Sequence, residues 1–166
     1  GVQFSAPGAT RLEQELLRWL AETMGYPDSA AGDLTSGGSI AALSAIVAAR
    51  QAFDIKSKDV DHTVVYITAL THHTFLKAMR IAGLAECPVR TVPIDSAYRM
   101  DVNALERSIT ADAESGLVPW MIVATAGTTD IGSIDPLEAI ADVAQRHGLW
   151  MHVDAAYGGG FALCAE

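Results

Sequence analysis

The sequence predicts an α/β fold, a mostly parallel sheet with helices on both faces. Three observations carry this. Apolar, β-branched runs recur without clean alternation, as strands buried on both faces do. Stretches of helical periodicity separate these runs, the pattern of a parallel sheet built by crossovers. The chain has 166 residues, 50% hydrophobic and 19% charged. That is ordinary for one domain, which would bury roughly two thirds of its unfolded surface.

The elements follow in order. Thr10 and Glu13 have capping-box spacing, and behind them Leu12, Leu16, Leu20 and Met24 recur at helical intervals, with Leu17 widening the stripe. Gly25 and Pro27 end that helix. A glycine and hydroxyl loop, "GDLTSGGS", runs into the alanine-rich helix "IAALSAIVAAR". The run "TVVYITAL" (63–70) is a strand, "HTFLKAMRIAG" a helix stopped by Gly83, and "VRTVPI" a second strand. Asp101 can cap the helix "DVNALERSITAD", and "WMIVATA" is a third strand. In "DPLEAIADVAQRHG", Asp135 reads as N-cap, Pro136 as the first turn and Gly148 as the stop. "LWMHV" is a fourth strand. Neither a repeat nor a low-complexity linker interrupts the pattern.

Bulk properties exclude several functions. A formal charge of -9 argues against a nucleic-acid surface, which needs clustered Lys and Arg. The longest apolar stretch is too short for a bilayer and is broken by Ser44. The opening lacks the basic start and apolar core of a signal peptide. Two cysteines, Cys87 and Cys164, make no disulfide framework, so a reducing cytoplasm is the expected compartment.

Parallel α/β sheets bind ligands beyond the carboxyl ends of their strands. Thr71, His72 and His73 follow the first strand, Thr125, Gly127, Thr128 and Thr129 the third, and Asp154 the fourth. In "TSGGS", Gly37 and Gly38 permit close backbone approach, Ser36 and Ser39 add hydroxyls, and the helix start favours an anion. A plain N-cap and turn explains the same residues. The "GK[ST]" ending of a nucleotide phosphate loop is missing. His72 alone fits a helix cap, and "GTT" alone fits a turn.

Asp154 is more demanding, because a desolvated carboxylate costs several kcal/mol unless a cation or donors meet it. His152, on the same face of the strand, could serve, as could nearby backbone amides. No H-x-x-x-H or C-x-x-C spacing supplies a metal site. A protonated ring nitrogen would meet the need, with Ala155 and Ala156 as a flat floor beneath a planar ring. Phosphate loop, imidazole, threonine loop and aspartate together describe a pocket for pyridoxal 5'-phosphate.

Three blocks carry a family likeness. "TSGGSIAALSAIVAAR", "THHTFLKAMRIAGL" and "AGTTDIGSIDPLEAIADVAQRHGLWMHVDAAYGG" closely resemble the group II pyridoxal-phosphate-dependent amino acid decarboxylases, on the aspartate aminotransferase-like fold. "SAPGATRLEQELLRWLAETMGYP" resembles the start of that family's large domain. The likeness implies that Gly38 and Ser39 hold the cofactor phosphate, that His72 stacks on the ring, and that Ala156 lies against its other face. It implies that Asp154 pairs with the ring nitrogen, with Thr125 and Thr129 near the ring. His72 and Asp154 are then the catalytic candidates. Ile40 and Ala42 depart from the pattern, standing where many relatives carry Glu and Asn.

The resemblance also implies an amino acid as the small-molecule substrate, CO2 and an amine as products, and a homodimer. The family's Schiff-base lysine follows the "HVDAAY" block, and here no lysine follows Asp154. Lys56, Lys58 and Lys77 are poorly placed substitutes. Residues 1–166 are therefore expected to be one partial domain, the central part of the large domain, inactive alone. The alternatives are a carbon–carbon lyase or desulfurase-like enzyme on the same fold, or a segment that does no chemistry.

Overall fold

The computed structural model describes residues 5–164; residues 1–4, where the signal-peptide reading begins, and 165–166 lie outside them. Four parallel strands, β1 (Thr63–Thr68), β2 (Val89–Val92), β3 (Val118–Thr125) and β4 (Trp150–Asp154), form one sheet in the order β2-β1-β3-β4. Five helices surround them: α1 (Pro7–Thr23), α2 (Gly38–Ala52), α3 (His73–Ile81), α4 (Val102–Glu114) and α5 (Leu137–His147).

The strand pleat sends alternate side chains to opposite faces, and two cores result. Val65 and Ile67 of β1 pack with Met121 and Val123 of β3 beneath Ile46 and Ala49 of α2 and Phe75, Ala78 and Met79 of α3. Val64, Tyr66, Ile122 and Ala124 point the other way, onto Leu105 and Ile109 of α4 and Ile140 and Val143 of α5. Helices cover both faces, as the unalternating apolar runs require.

One residue breaks the alternation. Val64 pairs with Pro119 and Val65 with Met121, so Trp120 is the extra residue of a β-bulge. The bulge puts Trp120 and Met121 into the same core.

The chain order creates a switch point. The helix that follows β1, α3, lies on one face; the helix that follows β3, α5, lies on the other, as does α4. Loops leaving the carboxyl ends of β1 and β3 therefore part in opposite directions and open a crevice between them.

Two helix starts differ from expectation. α1 begins one turn early, with Pro7 at its start and Ala6 as N-cap, and the Thr10 hydroxyl donates back to the Ala6 carbonyl at 3.2 Å. The capping-box reading of Thr10 and Glu13 fails because proline's fixed φ starts the helix first. Glu13 instead accepts from the Leu34 N–H at 3.3 Å. At α5 the N-cap is Pro136 with no side-chain cap, so Asp135 does not cap that helix. Its carboxylate accepts from the backbone N–H groups of Met100 at 2.7 Å and Thr125 at 2.8 Å. Asp101 does cap α4, accepting from the Ala104 N–H at 3.0 Å, and Gly148 ends α5 at φ 66.

A polar network ties sheet to helix on the α4 face. Asp112 accepts from the Tyr66 hydroxyl at 3.0 Å and from two Arg90 nitrogens, the closer at 2.7 Å. Burial alone would raise the Asp112 carboxyl, but Arg90 and Tyr66 outweigh it and hold it below its ordinary range. Asp112→Ala strands a fully buried phenol and an arginine. The expected loss is about 2–3 kcal/mol, less than for a fully buried pair because Arg90 reaches solvent. A shift of the urea midpoint measures it, and an unchanged midpoint would refute the role.

α1 contributes no buried residue, and Leu12 and Trp19 on it are exposed. Its periodicity is right, yet much of its apolar stripe stays open: Leu17 lies against Gly32 and Met24 against Gly159, while Leu12 and Trp19 face outward. None of the described helices is long and apolar enough to cross a membrane.

Candidate functional site

At the carboxyl end of the sheet a cleft of about 540 Å³ opens between α2, the β1–α3 connection, the loop after β3 and the end of β4. Gly38, Ser39, His72, Thr125, Thr129, Asp154 and Ala156 all line it. Residues more than a hundred positions apart thus meet in one hollow, because the strands that deliver them are parallel and end together.

Gly37 is the N-cap of α2, and the first turn closes with Ile40 and Ala41 donating to its carbonyl at 3.0 and 3.1 Å. The N–H groups of Gly38 and Ser39 then have no intrahelical partner. Together with the helix dipole they favour an anion at that end of the cleft. No acidic residue occupies the first turn to compete for it.

His72 is the N-cap of α3. Its Nδ1 accepts from the Thr74 N–H at 3.4 Å. The capping reading is therefore correct, and it leaves the ring at the cleft wall, 4.2 Å from the His73 ring centroid. One turn along α3 the buried Phe75 joins the lining.

Thr125 ends β3 directly across from Asp154 in the sheet register. It is 4% exposed, and its hydroxyl is buried with no partner. Buried hydroxyls are almost always satisfied, so an orphan in a residue that lines the cleft is an exception that a bound group would resolve. Asp154 is half-buried, and one carboxylate oxygen accepts from the Ala156 N–H at 3.1 Å.

Two loops meet beneath the cleft through glycine. The Gly158 N–H donates to the Ala126 carbonyl at 2.9 Å, and the Ala126 N–H donates to the Asp154 carbonyl at 2.8 Å. Gly127, at φ 89, lies so close to Gly158 that a Cβ there would fall 2.9 Å from the Gly158 nitrogen. Only glycine permits this approach. The "GTT" segment does make a turn, with Thr128 and Ser133 bonded across it, and it also presents Thr129 to the cleft.

His152 also lines the cleft, its ring centroid 5.8 Å from that of Phe75. Burial lowers its pKa below the ordinary histidine value, with Asp154 pulling the other way. Because the folded pKa is depressed, His152 stabilises the fold above about pH 6.5, the unfolded value. That contribution is lost as pH falls through the folded pKa. The urea midpoint is expected to drop as pH falls below about 6.5, and less steeply in His152→Gln; equal slopes would exclude His152 as the cause.

Sequence reasoning left Leu70, Phe75 and Tyr157 out of the site, and all three line it. Phe75 was detectable as the i+3 neighbour of His72, and Tyr157 by following Ala156 directly. None of Lys56, Lys58 and Lys77 is among the lining residues, and no group of His, Cys, Asp and Glu among the described residues could hold a metal.

A helix start with free N–H groups, a carboxylate and an orphan hydroxyl line one cleft at the switch point of a parallel sheet, a set of groups suited to an anionic ligand. Comparison with known proteins narrows the class. The pyridoxal-dependent decarboxylase conserved domain matches residues 2–166. A tryptophan decarboxylase from Camptotheca acuminata is 40% identical over 98% of this chain and 34% of its own length.

Among solved structures, the glutamate decarboxylase domain of a Vibrio parahaemolyticus diaminobutyrate-pyruvate transaminase and L-2,4-diaminobutyrate decarboxylase superposes with a TM-score of 0.91 at 34% identity, covering 98% of this chain and 38% of that one. Oryza sativa TDC with PLP and tryptamine superposes at 0.87 and 35% identity, over 98% and 38%. This chain belongs to the pyridoxal-dependent decarboxylase family, whose fold is the aspartate aminotransferase-like one. It spans about a third of the length of the relatives it matches.

Proposed function

We propose that this chain forms the pyridoxal phosphate cleft of an enzyme that decarboxylates an L-amino acid to an amine and CO2. The observation that carries the reading is the convergence of seven residues, separately singled out in the sequence, on one cleft. The donor set fits the cofactor. Two free N–H groups at a helix start suit its phosphate, Thr125 has an unused hydroxyl, and Asp154 has carboxylate capacity beyond its single amide bond.

In this reading Gly38 and Ser39 hold the phosphate, through backbone N–H and hydroxyl. His72 stacks on the ring, Ala156 supports the opposite face, and Thr125 and Thr129 lie near the ring edge. The bound cofactor supplies an electron sink for the pair left on the α-carbon as CO2 departs. Asp154 keeps a proton on the ring nitrogen, and its own position is held by the Ala156 N–H. Phe75 and Leu70 keep water away from the ring. Asp154, half-buried at the end of β4, would have its counter-charge in the ring nitrogen.

CO2 release from a panel of L-amino acids, measured with the full-length protein and added pyridoxal phosphate, tests the reaction. Release with a matching amine is expected; carbon–carbon cleavage or sulfur release without CO2 would reject it. Borohydride reduction of the 166-residue chain with the cofactor should label none of Lys56, Lys58 and Lys77. A stoichiometric adduct at one of them would show that this segment supplies its own Schiff-base amine.

The parent is read as a cytoplasmic homodimer. The exposed apolar stripe of α1 supports burial against further protein, and Cys87 and Cys164, both unpaired, suit a reducing compartment.

A further inference from the structure

Asp135 has the sequence context of a helix cap, and the fold puts it to another use. It is 5% exposed, and both carboxylate oxygens are occupied by backbone. One accepts from the Met100 N–H at 2.7 Å and the other from the Thr125 N–H at 2.8 Å, while its own N–H donates to the Thr125 carbonyl at 2.9 Å. Both polar groups of the Thr125 backbone are thus clamped by one residue. The antiparallel bridge between Ala126 and Ile134 continues the clamp, and the Ala126 N–H is tied to Asp154 at 2.8 Å.

The clamped residue carries the one cleft hydroxyl that is buried and unpartnered among the described residues. A hydroxyl on a strand end free to twist would turn to satisfy itself on a neighbouring carbonyl. Backbone bonds on both sides of Thr125 fix the strand end from which its side chain springs, and so hold the hydroxyl away from the carbonyls that a twisted strand end would bring to it. Charge-assisted bonds to N–H groups are short and strong, so the restraint is stiff. The bond to Met100 anchors the clamp to the segment leading into α4, on the sheet face away from α2 and α3.

We infer that Asp135 is a positioning residue for the cofactor cleft, holding the Thr125 hydroxyl unsatisfied and available to the bound pyridoxal ring. This rests on the cofactor reading above. Asp135 touches no ligand and acts only through Thr125.

A double-mutant cycle on the full-length protein tests it. Affinity for pyridoxal phosphate is measured by equilibrium dialysis for wild type, Asp135→Asn, Thr125→Val and the double variant. The amide that Asp135→Asn introduces turns an N–H donor toward one of the two backbone donors and breaks the clamp. This variant is expected to weaken affinity about tenfold, the scale of one hydrogen bond. The same substitution on the Thr125→Val background should change affinity less than about twofold. Faster hydrogen exchange of the Thr125 amide in Asp135→Asn, without cofactor, is expected as well.

Asp112→Asn serves as the stability control, since Asp112 is a buried carboxylate outside the cleft lining; it should lower the melting temperature and leave affinity unchanged. Should Asp135→Asn fail to fold, Asp135→Glu, with both acceptors on a longer stem, takes its place in the cycle. Independent, multiplicative losses in the two single variants would overturn the inference, as would an equal loss in the Asp112 control. A wild-type protein that binds no pyridoxal phosphate would overturn the cofactor reading and this inference with it. Binding by wild type without the coupling would overturn the inference alone.

Discussion

Asp154→Ala in the full-length protein is expected to cut decarboxylation by roughly two to three orders of magnitude. Removing one partner of a buried charge pair costs about 3–5 kcal/mol, and each 1.4 kcal/mol is about a factor of ten in rate or affinity. The half-buried setting of Asp154 puts the effect toward the lower end. Asp154→Asn keeps the shape and the bond from the Ala156 N–H while removing the charge. It should lose nearly as much as alanine, because the charge holds the proton on the ring nitrogen. Steady-state kinetics with saturating cofactor measure both. A rate within about threefold of wild type in either variant would contradict the role assigned to this carboxylate.

Gly158→Ala should be the most damaging single methyl group near the cleft. An alanine Cβ at this position overlaps the Ala126 carbonyl oxygen and lies 2.7 Å from its carbon. Both atoms are backbone and cannot step aside as a side-chain tip would. The Gly158 N–H bond to that carbonyl at 2.9 Å must break or the loop must shift. Overpacking of this kind costs roughly 1–3 kcal/mol, which lowers the melting temperature by about 5 °C in a domain of this size. The loop also carries Tyr157, which lines the cleft, so cofactor affinity should fall in parallel. Gly160→Ala, where a Cβ meets nothing within 4 Å, is the matched control and should change neither quantity.

Much of the candidate site is legible in the sequence. The order of strands and helices follows from periodicity, since β-branched runs suit a pleated, doubly covered sheet and the helical stretches carry their own stops. Asp101 and Gly148 did what their residue types suggest. The residues that end each strand could be named, and parallel strands deliver their carboxyl ends to one rim. The cleft was therefore foreseeable as a set of residues.

Local rules failed where two of them competed or where a distant segment intervened. Pro7 overrode the Thr10 capping signal because a fixed φ starts a helix without help from a hydroxyl. Asp135 has a capping residue's neighbours, but the backbone amides of Met100 and Thr125 meet its carboxylate in the folded protein, one of them from 35 positions away. Trp120 looked like an ordinary strand residue, and pairing with β1 made it a bulge.

The sequence by itself determined the alternation of strand and helix, the two apolar faces and the polar residues at the strand ends, because these depend on periods of a few residues. Only the tertiary structure decided the order β2-β1-β3-β4, the crevice that this order opens, the contact of Gly158 with Ala126 and the use of Asp135 as a backbone clamp. Each of those joins segments far apart in the chain, and no local spacing encodes which distant amide a carboxylate will find. The orphan hydroxyl of Thr125 belongs to the same category: a threonine becomes a waiting donor only when the surrounding fold gives it nothing to bind.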